Sequence, residues 1–154
     1  NLTDVASNKG IDPKRLIFAK HMPLDEHLKR LQLADLALDT FPYNAHTTCS
    51  DALRVNLPIL TLKGEGFASR VASSLLSSIN VTELITEREE DYVELALKIS
   101  SNKEFLEKIK SKIQLNKLTS NLFNSKTYTK NIERAYTIAY QNFINDKMPK
   151  NIIL

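Results

Sequence analysis

The sequence predicts an α/β fold in which a parallel sheet flanked by helices is followed by a wholly helical C-terminal end. Two observations predict it. Short apolar runs alternate with helical patterns through the first part of the chain, as in a parallel sheet built from strand and crossover helix. From Glu89 onward only helical spacing remains. No internal repeat or low-complexity linker interrupts the chain. We therefore expect one domain over 1–154, with an α/β part over 1–86 and a helical part over 87–147.

The elements follow in order. Leu2, Val5 and Ala6 stand at helical spacing, and Gly10 predicts a glycine C-cap. Residues 15–19, Arg-Leu-Ile-Phe-Ala, have the continuous apolar character of a buried parallel strand. Pro23 suits a first helical turn, and Asp25 and Glu26 favour it electrostatically, so a helix is expected to about Gln32. Leu36 to Leu38 forms the second strand, residues 47–55 the next helix and Pro58 to Leu62 the third strand. Gly64 and Gly66 break the chain before a helix from about Ala68 to Ser78. Glu83 to Ile85 is a candidate fourth strand. Helices are then expected over 91–99, from 103 to about 115 and from 127 to about 145. In the last of these, Ile132, Tyr136, Ala139, Tyr140 and Phe143 share one face, and packing is the expected role of that stripe.

Composition narrows the class. Hydrophobic residues make up 42% and charged residues 25% of the 154, and the net charge is +3. These values suit a globular domain with a sizeable core and give no reason to expect nucleic acid. No apolar run approaches the roughly 20 residues that span a bilayer, no signal peptide is visible and no membrane partner is expected. Cys49 is the single cysteine, so a reducing, cytoplasmic compartment is the simplest expectation. A thiol near a helix start invites a nucleophile hypothesis, against which stands a plain small-residue position. His21, His27 and His46 are too irregularly spaced with one Cys to suggest a metal site. The start at Asn1, on a helix rather than a strand, predicts a fragment.

Asp39 to Arg54 carries the most chemistry. A strand, a Pro-containing turn and a hydroxyl-rich helix start make a ready anion site, because the first N–H groups of a helix lack partners and its dipole favours negative charge. His46, Thr47 and Thr48 add side-chain donors suited to a diphosphate. Asp51, placed in the first turn, suits sugar hydroxyls. Each residue has an ordinary alternative: Thr and Ser are common helix caps, Asp51 is a favourable first-turn charge, and His46 a loop histidine. The loops Lys20–Pro23, Asp39–His46 and Lys63–Phe67 follow the predicted strands, at the sheet edge where open α/β folds bind ligands.

The run from Gln32 to Asp51, with Leu-Asp-Thr-Phe-Pro-Tyr-Asn-Ala-His-Thr-Thr at its centre, resembles the C-terminal lobe of protein O-GlcNAc transferases and SPINDLY-like glycosyltransferases, glycosyltransferase family forty-one, in its bacterial form. Arg15-Leu-Ile-Phe18 with Pro23-Leu-Asp-Glu-His27, Gly64 to Ala72, Leu122 to Tyr128 and Glu133 to Tyr136 extend the likeness over nearly the whole chain. The resemblance implies the C-terminal Rossmann-like lobe of a GT-B glycosyltransferase using UDP-N-acetylglucosamine without cofactor or metal, helix dipoles and donors offsetting the leaving charge. It implies that His46, Thr47 and Thr48 hold the diphosphate and Asp51 the ribose. Met22, through its backbone, His27 and Arg30 would meet the base. No catalytic residue is assigned within this stretch. Leu24 departs from the lysine of the animal enzymes and puts one ribose contact in doubt.

The implied partners are the nucleotide-sugar donor, an acceptor protein, and an N-terminal lobe and tetratricopeptide repeats of the same chain. The fragment alone is expected to be inactive. Protein O-fucosyltransferases of the SPINDLY type, using GDP-fucose, share this lobe, but tend to have Thr for His46 and Glu for Asp51. A degenerate, non-catalytic interaction module is a further alternative. Arg70 is expected in a structural ion pair, His27 and Arg30 have packing and solvated alternatives, and Lys98, Lys103, Lys108, Lys110, Lys112 and Lys117 are expected to form a solvated helix face.

Overall fold

A computed structural model describes residues 1–154. Three parallel strands, β1 (Ala37–Leu38), β2 (Ile59–Leu62) and β3 (Ile85–Thr86), form a sheet in the order β1-β2-β3. Ala37 is in register with Ile59, and Thr61 with Ile85. The crossovers are α3 (Thr47–Arg54) and α4 (Val71–Ser78). Ahead of the sheet lie α1 (Leu2–Asn8) and α2 (Leu24–Leu31); after it come α5 (Glu89–Ser101), α6 (Lys103–Thr119) and α7 (Ser125–Ile144). The expected parallel sheet with a helical end is therefore present.

The boundaries have local causes. At the end of α1, Ile11 donates to the Ala6 carbonyl and Gly10 to that of Ser7, while Gly10 takes φ +72°. This is the six-to-one, five-to-two closure of a Schellman end, which an L side chain resists. Asn102 and Asn124 cap α6 and α7 by accepting the N–H of Phe105 and Thr127. The helix expected from Ala68 begins three residues later, because Ser69 and Arg70 donate back to Gly66 and Phe67 in a tight turn. Gly64 is confined there: a Cβ on it would lie 2.6 Å from Ser69 Oγ and 2.8 Å from Ser69 Cβ. Gly64→Ala should therefore cost about 1–3 kcal/mol in chemical denaturation. Adding Ser69→Gly should recover part of that loss.

The core lies between the sheet and the helices of both parts. Leu53 of α3, Leu76 of α4, Ile99 of α5 and Ile109 and Ile113 of α6 are almost wholly buried and pack with Ile79, Val81 and Leu84. Burial of these side chains is the main force holding the helical end on the sheet. Lysines add polar ties. Lys112 bridges Glu83 at 2.8 Å, Lys110 reaches Asp35 at 3.2 Å, and Lys117 donates to the Arg54 carbonyl and Asn56.

Four further expectations are corrected. Residues 15–19 form no strand: Arg15 closes a 3-10 turn (Pro13–Arg15), the following residues join no ladder, and Ile17 and Phe18 are exposed. Apolar composition does not make a strand without a neighbouring edge to pair with. Glu83 and Leu84 belong to a 3-10 turn (Thr82–Leu84), and pairing begins only at Ile85. The α7 stripe does not pack, since Tyr136, Tyr140 and Phe143 are all exposed. Finally, the lysine face is not uniformly solvated, because Lys110, Lys112 and Lys117 are turned onto the sheet part while Lys108 remains on the surface.

Candidate functional site

The start of α3 is built by the loop that leaves β1. Asp39, the first residue after the strand, is buried and accepts the Ala45 N–H at 2.6 Å and the Thr61 hydroxyl at 2.6 Å. Its carbonyl accepts the Tyr92 hydroxyl at 2.9 Å. Asn44, also buried, donates its N–H to the Ala68 carbonyl and its side-chain amide to the carbonyls of Thr40 and Leu62. The loop, which contains a cis Phe41–Pro42 bond, is thus held to β2 and to the turn before α4.

His46 stands at the N-cap position of α3 but makes no side-chain cap. Its ring stacks on Tyr43, centroids 5.0 Å apart, and meets the edge of Phe67 at 6.0 Å. Its Nε2 is buried and has no hydrogen-bond partner. The first backbone bond of the helix is Ser50 N–H to the His46 carbonyl, which leaves the N–H groups of Thr47, Thr48 and Cys49 without a backbone acceptor. Thr47 and Thr48 are exposed and cap nothing. Ordinary capping therefore does not account for these residues. The result is an uncapped helix start with a row of free donors, an arrangement that attracts anions. Its surface is open to solvent.

Asp51 is the fifth residue of α3, so it lies in the second turn and not the first. Positions i+4 from Thr47 and i+3 from Thr48 share a helix face. Half-buried Asp51 thus stands one turn behind the two threonines, on their side of the helix.

The second group of residues is organised by Arg30. Its guanidinium donates to the Lys20 carbonyl at 2.9 Å and meets His27 Nδ1 at 2.8 Å. A guanidinium has only donors, so Nδ1 accepts and the ring proton resides on Nε2. Neither residue is a free surface group: together they fasten the 20–23 segment, with half-buried Met22, to α2, which packs on α3.

Arg70 behaves differently from expectation, whereas Cys49 follows the plain packing alternative. Arg70 enters no ion pair; it borders a cleft of about 530 Å³ with Lys63, Phe67 and Ser73. Cys49 is fully buried, and desolvation followed by the Asp39 charge pushes its thiol up to about 12. A thiol closed off from solvent and held protonated argues against a nucleophile and for the packing role. Iodoacetamide at pH 8 should leave Cys49 unmodified in the folded chain and label it once the chain is unfolded, read by intact mass. Asp39 and Asn44 are the residues that reading the sequence missed. Their partners lie 4 to 53 residues away, and most of them are distant in sequence.

No group of three or more His, Cys, Asp or Glu side chains is arranged to hold a metal ion. No helix is long and apolar enough to cross a membrane.

An α/β lobe with a donor-lined helix start at its strand ends defines a class of anion-binding domains, and comparison with known proteins narrows it. The family model described as glycosyl transferase family 41 matches residues 1–132, and the chain belongs to that family. It is 36% identical over 125 residues to the Caenorhabditis elegans UDP-N-acetylglucosamine--peptide N-acetylglucosaminyltransferase, covering 81% of this chain and 11% of that protein. It is 28% identical to the Petunia hybrida protein named probable UDP-N-acetylglucosamine--peptide N-acetylglucosaminyltransferase SPINDLY, over 91% of this chain and 15% of the relative. The structure of a mutant Thermobaculum terrenum O-GlcNAc transferase superposes with a TM-score of 0.81 at 29% identity, covering 88% of this chain and 26% of that one. The fold is that of the C-terminal lobe of these GT-B glycosyltransferases, and the chain spans only a small part of the length of its relatives.

Proposed function

We propose that this chain is the donor-binding half of a glycosyltransferase that moves N-acetylglucosamine from UDP to Ser or Thr hydroxyls of proteins. The observation that carries the reading is the uncapped α3 start, where three backbone N–H groups and the buried Nε2 of His46 lack partners. Thr47 and Thr48 add hydroxyl donors to the diphosphate, and Asp51 accepts from the ribose. The 20–23 backbone at Met22, steadied by Arg30 and His27, meets the base. As the sugar departs, charge grows on the diphosphate, and fixed donors stabilise it without reorganising. The names of the relatives support the donor and the acceptor class.

Titration of the chain with UDP and GDP, followed by calorimetry or NMR, tests the donor. UDP should bind more tightly, in the ~millimolar range for a single open lobe. Tighter GDP binding would overturn the uridine assignment and favour a fucose donor.

A further inference from the structure

We propose that Asp39 is the positioning residue of the donor site, fixing the backbone from which His46 and the α3 donors are presented. The inference rests on the donor reading above. Asp39 sits at the end of β1, is only 5% exposed, and places its two carboxylate oxygens on different elements. One accepts the N–H of Ala45, immediately before His46; the other accepts the hydroxyl of Thr61, inside β2. Thr86 of β3 in turn donates to the Thr61 carbonyl at 3.0 Å, and Tyr92 of α5 donates to the carbonyl of Asp39 itself. The residue before His46 is thereby tied to all three strands and to α5, and the imidazole is left only its aromatic neighbours to move against.

The negative charge itself is not what an anion site needs, since a carboxylate behind a diphosphate opposes it. Its use is geometric: a buried acceptor reaching two donors at once. Asparagine reproduces this reach, with its oxygen toward Ala45 and its amide toward the Thr61 oxygen, and carries no charge.

The test uses the 154-residue chain with UDP as probe and NMR as readout. Asp39→Ala should shift the His46 ring resonances, as the ring leaves the Tyr43 stack, and weaken UDP binding about tenfold, the loss of one charge-assisted hydrogen bond's worth of order. Asp39→Asn should keep the His46 resonances and bind UDP as well as the parent or better. Thr61→Val, which removes the strand partner and spares the Ala45 bond, should move both readouts in the same direction as Asp39→Ala but by less. Asp39→Ser, with room for a water, replaces the alanine variant if that one does not fold. The proposal is overturned if the alanine or serine variant keeps both readouts, or if Thr61→Val loses them equally. Should the parent chain bind no UDP, the donor reading fails, while the His46 resonances still decide whether Asp39 positions that ring.

Discussion

In an active protein that contains this chain, His46→Ala and Thr48→Ala are each expected to lower turnover by roughly ten- to a thousandfold. In the proposed donor site both residues supply donors at the point where charge develops on the leaving diphosphate, and such donors count more in the transition state than in the ground state. Asp51→Ala should instead raise KM with a smaller change in kcat, because in the proposed site it faces neutral ribose hydroxyls whose contacts change little during reaction. The proper surface control is Lys108→Ala. Lys108 is exposed and pairs only with Glu104 one turn away, whereas Lys110 bridges to Asp35. Steady-state kinetics on the four variants is the measurement. A Lys108 variant as impaired as the His46 variant would remove the α3 start from consideration as the donor site.

Leu53→Ala should cost about 2–5 kcal/mol of folding stability, measured by denaturant unfolding. Leu53 is fully buried on the inner face of α3, beside Cys49 and Ala52, in the cluster shared with α4, α5 and α6. The lost methyl groups leave a cavity that rigid neighbours on four helices fill poorly. Thr48, one turn earlier on the exposed face, should change stability by no more than about 0.5 kcal/mol when truncated. The two substitutions thus separate what holds α3 in place from what its exposed end does.

Where a pattern depended on neighbours in sequence, it was legible. The strand at Ile59–Leu62, the helix opening at Thr47 and the glycine end of α1 follow from apolar runs, hydroxyls and Gly10, all local signals. Residues 15–19 carry the same local signal, but a strand exists only through its partner, and β1 pairs with β2 alone. The α7 stripe is amphipathic by spacing, and spacing says which residues share a face without saying what lies opposite. Lys110 and Lys112 looked like their solvated neighbours because their acids, Asp35 and Glu83, are 75 and 29 residues distant. At the site, the donor types were visible in Ala-His-Thr-Thr. The displacement of Asp51 to the second turn required knowing that His46, and not a residue further on, stands at the N-cap.

The bond from Tyr92 to the Asp39 carbonyl also has an optical consequence. The chain has no tryptophan and five tyrosines, of which Tyr43, Tyr128, Tyr136 and Tyr140 are about two-thirds exposed. Tyr92 is the half-buried one, fixed by its hydroxyl and by an edge contact with Phe41 at 5.9 Å. Burial and then the Asp39 charge oppose its phenolate, so it ionises at higher pH than an ordinary tyrosine. A phenol fixed at its hydroxyl and at its ring in an asymmetric setting contributes to the near-ultraviolet circular dichroism. That spectrum therefore reports, without any label, on the corner where α5 meets the end of β1.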